Sequence, residues 1–255
     1  MEGSVEAIEL NGARLGFGDL GVLDGIDLRV EPGEVVALVG PSGCGKSTLL
    51  ELIAGLLEAD TGSVRVAGES VGRLRHVALM PQRDSLLPWL AAIDNAALAP
   101  RNRGASRERA RAQAAPLFER FGLAGFERAR AHELSGGMRQ RVAFVRTLLA
   151  GKAVVALDEP FASLDAITRG EMQEWLAGAL EVEARTVVLV SHDVEEALYV
   201  ADRALVLSSR PARIVDEVRS PAPRTHPRAE AIVDPAFLAA RGAAMVALGE
   251  AAGAR

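Results

Sequence analysis

The sequence predicts an α/β protein with a parallel sheet at its centre, and three observations predict it. Apolar runs at 34–39, 154–157 and 186–190 are short and nearly unbroken, as in strands covered on both faces. Stretches with helical apolar spacing, 47–57, 167–180 and 194–201, alternate with them, which is how crossovers join parallel strands. Between the first such strand and its helix stands Gly40-Pro41-Ser42-Gly43-Cys44-Gly45-Lys46-Ser47-Thr48, a glycine-rich turn carrying a lysine.

In chain order, short apolar runs at 7–10, 13–17 and 26–30, divided by turn residues, predict a small N-terminal β region. Strands at 64–66 and 76–80 lead to Pro81-Gln82. Alanine, arginine and leucine at helical spacing then mark a helical insertion over about 87–145. From Pro211 onward come Pro221, Pro223, Pro227 and Pro235, then an alanine-rich end with helical propensity. Residues 5–215 are expected to form the main domain and 216–255 an extension without an assignable role. There is no internal repeat and no heptad run.

Composition narrows the class. A chain of 255 residues with 49% hydrophobic content has ample material for a packed core. A net charge of −5 gives no electrostatic reason to expect nucleic-acid binding. The basic stretch Arg101, Arg103, Arg107, Arg109 and Arg111 is interrupted by Glu108, lacks aromatic neighbours, and reads as a solvated helix face. The single cysteine, Cys44, excludes an internal disulfide and fits a reducing compartment. A position at a helix start is expected to favour its thiolate, although its main role reads as filling the turn. The acidic N-terminus has no apolar signal core, and no apolar stretch reaches the roughly 18 residues that span a bilayer. A soluble or peripheral protein is expected.

The turn at 40–48 matches G-x-x-x-x-G-K-[ST], whose residue types follow from phosphate chemistry. Its glycines let amides curl around a phosphate, the helix start adds a positive dipole end, and Lys46 reaches the outer phosphates. Only Lys152 is a lysine elsewhere; the remaining cationic side chains, histidines aside, are arginines. Ser47 offers a hydroxyl to Mg2+. Asp158 and Glu159 end the run Val154-Val155-Ala156-Leu157, at the carboxyl end of a core strand where such sheets place ligands. There Asp158 can hold Mg2+ through water while Glu159 orients or deprotonates a water. Leu134-Ser135-Gly136-Gly137-Met138 offers a second anion cradle ahead of a helix, more than one nucleotide needs.

With these residues the chain resembles the ATP-binding cassette ATPases, in order over roughly residues 5–215. The resemblance implies a P-loop NTPase cassette with a RecA-like parallel-sheet core, an N-terminal antiparallel β region and a helical subdomain. Leu134 to Met138 is similar to the family's Leu-Ser-Gly-Gly-Gln signature. That implies contact of Ser135, Gly136 and Gly137 with the γ-phosphate held by a second subunit, hence a homodimer in the ATP-bound state. By the same resemblance Phe17 stacks on adenine, Gln82 senses Mg2+ and the γ-phosphate, Asp165 lies in the loop that communicates between subunits, and His192 contacts the γ-phosphate. Met138 departs from the usual glutamine and Phe17 from the usual tyrosine. Neither change is expected to abolish hydrolysis.

The mechanism so implied is ATP hydrolysis, with Lys46 and the loop amides on the phosphates, Mg2+ at Ser47, Gln82 and Asp158, Glu159 activating water, and His192 steadying the γ-phosphate. Lacking a span, the subunit is expected on the cytoplasmic face of the membrane, docked on integral-membrane permease subunits and serving a solute-binding protein indirectly. The segment Gln82 to Trp89 lies where the family receives a coupling helix. Gln82-Arg83-Asp84, Leu86-Leu87-Pro88-Trp89, Asp158-Glu159-Pro160-Phe161 and Ser208-Ser209-Arg210-Pro211 further resemble importer ATPases for nitrate, taurine, alkanesulfonates and thiamine-precursor pyrimidines. The alternatives are an exporter ATPase, a soluble cassette acting on nucleic acid, and a scaffold without hydrolysis. The absence of fused spans, of heptads and of any gap in the catalytic set disfavours each in turn.

Overall fold

The structure, a computed structural model, describes residues 6–183, 185–221 and 226–253. Strands β1 (Ile8–Phe17), β2 (Leu20–Val30) and β4 (Thr61–Val66) pair antiparallel in the order β2-β1-β4. The runs at 7–10 and 13–17 are one strand, because a register irregularity at residues 11–13 bends the pairing without ending it.

The main sheet has the order β5-β6-β7-β3-β8-β9. Strands β3 (Val35–Val39), β5 (Val77–Met80), β6 (Val154–Asp158), β7 (Thr186–Val190) and β8 (Arg203–Leu207) are parallel. Their unbroken apolar character has a direct cause. Val35, Ala37 and Val39 of β3 face one core while Val36 and Leu38 face another. Val155 and Leu157 of β6 likewise face the first core, and Val154 and Ala156 the second. Side chains alternate across a pleat, so a sheet covered on both sides needs apolar residues at every position.

The second core lies under the antiparallel sheet and helix α1 (Lys46–Ala54). The first is closed by α2 (Ala92–Ala96), α4 (Arg107–Arg120), α5 (Gly136–Leu149), α6 (Ala166–Glu183) and α7 (Val194–Val200), with α3 (Leu98–Asn102) beside them. Within it Phe121, Phe144 and Trp175 meet edge to face at centroid distances of 5.3 to 6.0 Å.

The arginine stretch is more than a solvated face. Arg107 and Arg111 both grip Asp94, which is 8% exposed, through bonds of 2.6 to 3.2 Å, and Arg103 donates to the carbonyls of Leu149 and Ala150. Asp94 is too far along the chain to be read as their partner. Strand β9 (Ile214–Arg219) adds antiparallel to β8 and runs across residue 215, where the sequence reading ended the main domain. After α8 (Arg228–Ala231), helix α9 (Pro235–Gly253) packs on β8, β9 and α7, burying Phe237, Ala244 and Ala251.

Candidate functional site

Parallel strands with crossovers direct all their carboxyl ends to one edge. In the order β5, β6, β7, β3, β8 those ends lead to Gln82, to Asp158 and Glu159, to His192, to the turn at 40–48, and to Arg210. The site is therefore assembled by sheet order from segments scattered over the sequence.

The turn closes tightly against β2. Gly45 caps α1 at φ 126°, and a methyl built on it would lie 3.0 Å from Val22 Cγ1, so backbone conformation and space both demand glycine. Lys46 is 6% exposed and its Nζ donates to the carbonyls of Gly40 at 2.8 Å and Pro41 at 3.0 Å. Gly40 and Cys44 are buried, Pro41 and Thr48 half-buried, and Ser42, Gly43 and Ser47 exposed. Burial pushes the Cys44 thiol up, against the thiolate expectation, because desolvation outweighs the nearby Lys46 charge.

Ser47 Oγ donates to Asp158 Oδ1 at 3.0 Å. Burial raises the Asp158 carboxyl above the ordinary aspartate value; the Ser47 bond opposes this and the Glu159 charge adds to it. A hydroxyl and a half-buried carboxylate beside a second carboxylate form a hard-oxygen pair suited to Mg2+. No cluster of three or more His, Cys, Asp or Glu side chains suited to a metal occurs among the described residues.

Glu159 stands in the left-handed backbone region at φ 43°, uncommon for a residue with a side chain. Its amide, donating to the Val190 carbonyl at 3.1 Å, holds it there. Gln82 Nε2 donates to its Oε2 at 3.0 Å, and His192 Nδ1 lies 3.6 Å from the same oxygen. His192 is half exposed between Ser191, which is fully buried, and Asp193, which caps α7 by accepting from the amides of Glu195 and Glu196.

The second cradle stands apart. The opening over the phosphate loop is lined by Phe17, Leu20, Val22, Ser42, Gly43, Gly45, Lys46, Ser47, Thr48, Glu159 and Arg210, and by nothing from Ser135 to Met138 or from Asp165. Ser135 caps α5 by accepting from the Met138 amide at 3.2 Å. Methyls on Gly136 and Gly137 would lie 3.1 Å from Leu164 and 3.1 Å from Thr168, so these glycines also permit close packing. Asp165 accepts from the amides of Ile167 and Thr168, and hydrogen bonding from Thr168 holds its carboxyl below the ordinary value. Gln140, two residues beyond Met138, is buried and donates to Ser163 Oγ, so it is no substitute for the missing glutamine.

Sequence reading missed Leu20 and Arg210. Leu20 extends the exposed apolar surface of Phe17, an adjacency that only the β1–β2 hairpin creates. In the segment after Gln82, Trp89 is 65% exposed while Leu86 is buried. Asn95, fully buried, fixes that segment by accepting from the Leu87 amide at 2.7 Å and donating to the Leu87 carbonyl at 3.1 Å. No helix among the described residues is long and apolar enough to cross a membrane.

Residues 23–162 match a family model described as ABC transporter. The chain is 46% identical over 224 residues to an aliphatic sulfonates import ATP-binding protein of Rhodococcus jostii, covering 88% of this chain and 87% of that one. It is 41% identical over 200 residues to a formylaminopyrimidine import ATP-binding protein of Halalkalibacterium halodurans, covering 78% of each. It is 42% identical over 224 residues to a taurine import ATP-binding protein of Chromobacterium violaceum, covering 86% of each. Among solved structures, a dimeric ATP-binding cassette in a post-hydrolysis state with ADP and phosphate superposes with a TM-score of 0.71 at 27% identity, covering 84% of this chain and 99% of that one.

Proposed function

The chain belongs to the ABC transporter family, and from that premise we propose that it is the ATP-hydrolysing subunit of a bacterial importer for a small molecule. The observation that carries the proposal is the convergence, on one sheet edge, of the phosphate loop with Gln82, Asp158, Glu159 and His192. Residues 5–215, with the insertion at about 87–145, act as the ATPase cassette.

Phe17 stacks on the base, and the amides from Gly40 to Thr48 with Lys46 hold the phosphates. Ser47, Gln82 and, through water, Asp158 would hold Mg2+, which would neutralise phosphate charge. Glu159 takes the proton of a water whose oxygen bonds to the γ-phosphorus as the bond to the β–γ bridging oxygen breaks, leaving ADP and phosphate. His192, beside the Glu159 carboxylate, steadies the γ-phosphate.

Ser135, Gly136, Gly137 and Asp165 serve the partner's nucleotide, so the ATP-bound state is a homodimer. Their absence from the lining of the opening in their own chain and the dimeric form of the similar solved cassette support this. The subunit sits peripherally on the cytoplasmic face of the membrane, held by integral permease subunits and supplied indirectly by a solute-binding protein. Its cargo class is a sulfonate, taurine included, or a formylaminopyrimidine, on the names of the relatives. Nitrate rests on the motif resemblance alone.

The test is ATP hydrolysis by the complex that co-purifies with this subunit from native membranes, reconstituted with any co-encoded binding protein. Stimulation by sulfonates, nitrate or pyrimidine precursors is expected from one class only. Full hydrolysis without a membrane partner, unaffected by all three, would reject the importer reading.

A further inference from the structure

Four of the five parallel strands end in residues with a role in the proposed site; the fifth, β8, ends in a loop without one. This loop, Ser208-Ser209-Arg210-Pro211, brings a guanidinium to the phosphate turn. Arg210 lines the same opening as Ser42, Gly43, Lys46 and Glu159, and a methyl built on Gly43 would lie 3.5 Å from its Nη2. We propose that Arg210 is a nucleotide-binding residue, supplying a second cation to the polyphosphate from the open side of the turn. The proposal rests on the reading of this opening as the ATP site.

Three features of the structure carry it. The first is charge left available. Arg203 pairs with Glu34 and Glu217, and Arg213 with Asp24, whereas no carboxylate among the described residues forms an ion pair with Arg210. The second is preorganisation. The Ser209 amide donates to the Ala251 carbonyl of α9 at 3.2 Å, and the Arg213 amide to Ser208 Oγ at 3.0 Å. The Ala212 amide donates to Val22 at 2.8 Å, and the Asp24 amide to Ala212 at 2.9 Å. The loop backbone is thus pinned to β2, which carries Leu20 and Val22 of the same opening, so a ligand has only the Arg210 side chain to order.

The third is a division of labour. Lys46 is folded inward on two loop carbonyls, a compact charge within the turn. Arg210 is exposed on the outside, and its planar fork can bind phosphate oxygens in pairs. The arrangement also gives the C-terminal extension a task, since α9 supplies the carbonyl that holds Ser209 in place.

The experiment is calorimetric binding of ATP, GTP, ADP and AMP, with magnesium, to the full chain, to Arg210→Ala, to Arg210→Lys and to Lys46→Ala. Loss of one charge-assisted contact predicts roughly tenfold weaker binding of ATP and ADP by Arg210→Ala, a smaller loss for AMP, and an ATP loss matched by GTP. Arg210→Lys should recover part of the affinity, and the loss should shrink as salt is raised. The thermal midpoint without nucleotide should stay at the parent value, since the side chain has no ion pair to lose. Equal ATP affinity in Arg210→Ala and the parent overturns the proposal, as does a loss confined to one base. Failure of the parent to bind ATP, or undiminished binding by Lys46→Ala, overturns instead the assignment of the opening itself.

Discussion

Gln82 donates its side-chain amide to the carboxylate of Glu159 across 3.0 Å, joining the segment that presents Trp89 to the residue proposed to activate water. Parallel pairing of Met80 with Leu157 places the ends of β5 and β6 side by side, so the contact follows from sheet register. If, as proposed, a permease docks at Trp89, the Gln82–Glu159 bond would link that segment to the chemistry.

Replacing Glu159 with glutamine keeps the side-chain volume and removes the base. ATP binding should survive, ADP formation should fall by about 10²- to 10⁴-fold, and a dimer should persist in ATP during light-scattering chromatography. Turnover close to the parent rate would refute the assignment of Glu159.

Trp89 is exposed and packs no core, so Trp89→Ala should leave stability and basal hydrolysis within about twofold of the parent. Transport by the reconstituted complex should fall at least tenfold if the side chain seats the permease, whose desolvated aromatic contacts are worth about 2 kcal/mol or more. Equal losses in hydrolysis and transport would remove the coupling argument.

Asn95 organises the loop before α2 from a fully buried position. Asn95→Ala strands the Leu87 amide, whereas the Leu87 carbonyl keeps the Leu90 amide at 3.0 Å, and should cost about 1–3 kcal/mol in urea unfolding, because a buried polar group left unpaired carries its desolvation penalty. A cost below about 1 kcal/mol would show that the loop is held by other means.

Glu196 is 3% exposed, and burial pushes its carboxyl up to about 6, although Ser191 and Gln173 bond to it; Asp193 adds to the rise and His192 opposes it. Because its folded value lies above the unfolded 4.5, the fold holds the proton more tightly. The contribution of this group to stability is full below pH 4.5 and is lost as pH rises through about 6, by roughly 2 kcal/mol in all. Urea unfolding of the parent minus that of Glu196→Gln should decline by that amount between pH 4.5 and 7.5. A constant difference would mean that the carboxyl titrates normally.

Much of the site was legible because its signals are local. The glycine spacing before Lys46, the carboxylates ending an apolar run and the serine before a helix each depend on a few adjacent residues. The strands were legible for the same reason, since burial on both faces makes β3, β6 and β7 continuous apolar runs. Strand β9 left a weaker signal, for it lies at the sheet edge with all six of its residues at least partly exposed. The arginine stretch misled because its partner Asp94 sits on a different helix.

The sequence by itself determined which chemical groups are present and the local backbone that displays each of them, because turn, cap and strand preferences act over neighbouring residues. Only the tertiary structure decided their company. The order β5-β6-β7-β3-β8 sets Gln82 against Glu159, Ser47 against Asp158, and Arg210 against Gly43. Strand order is fixed by burying two cores on opposite faces of one sheet, a global packing condition that local residue preferences do not contain.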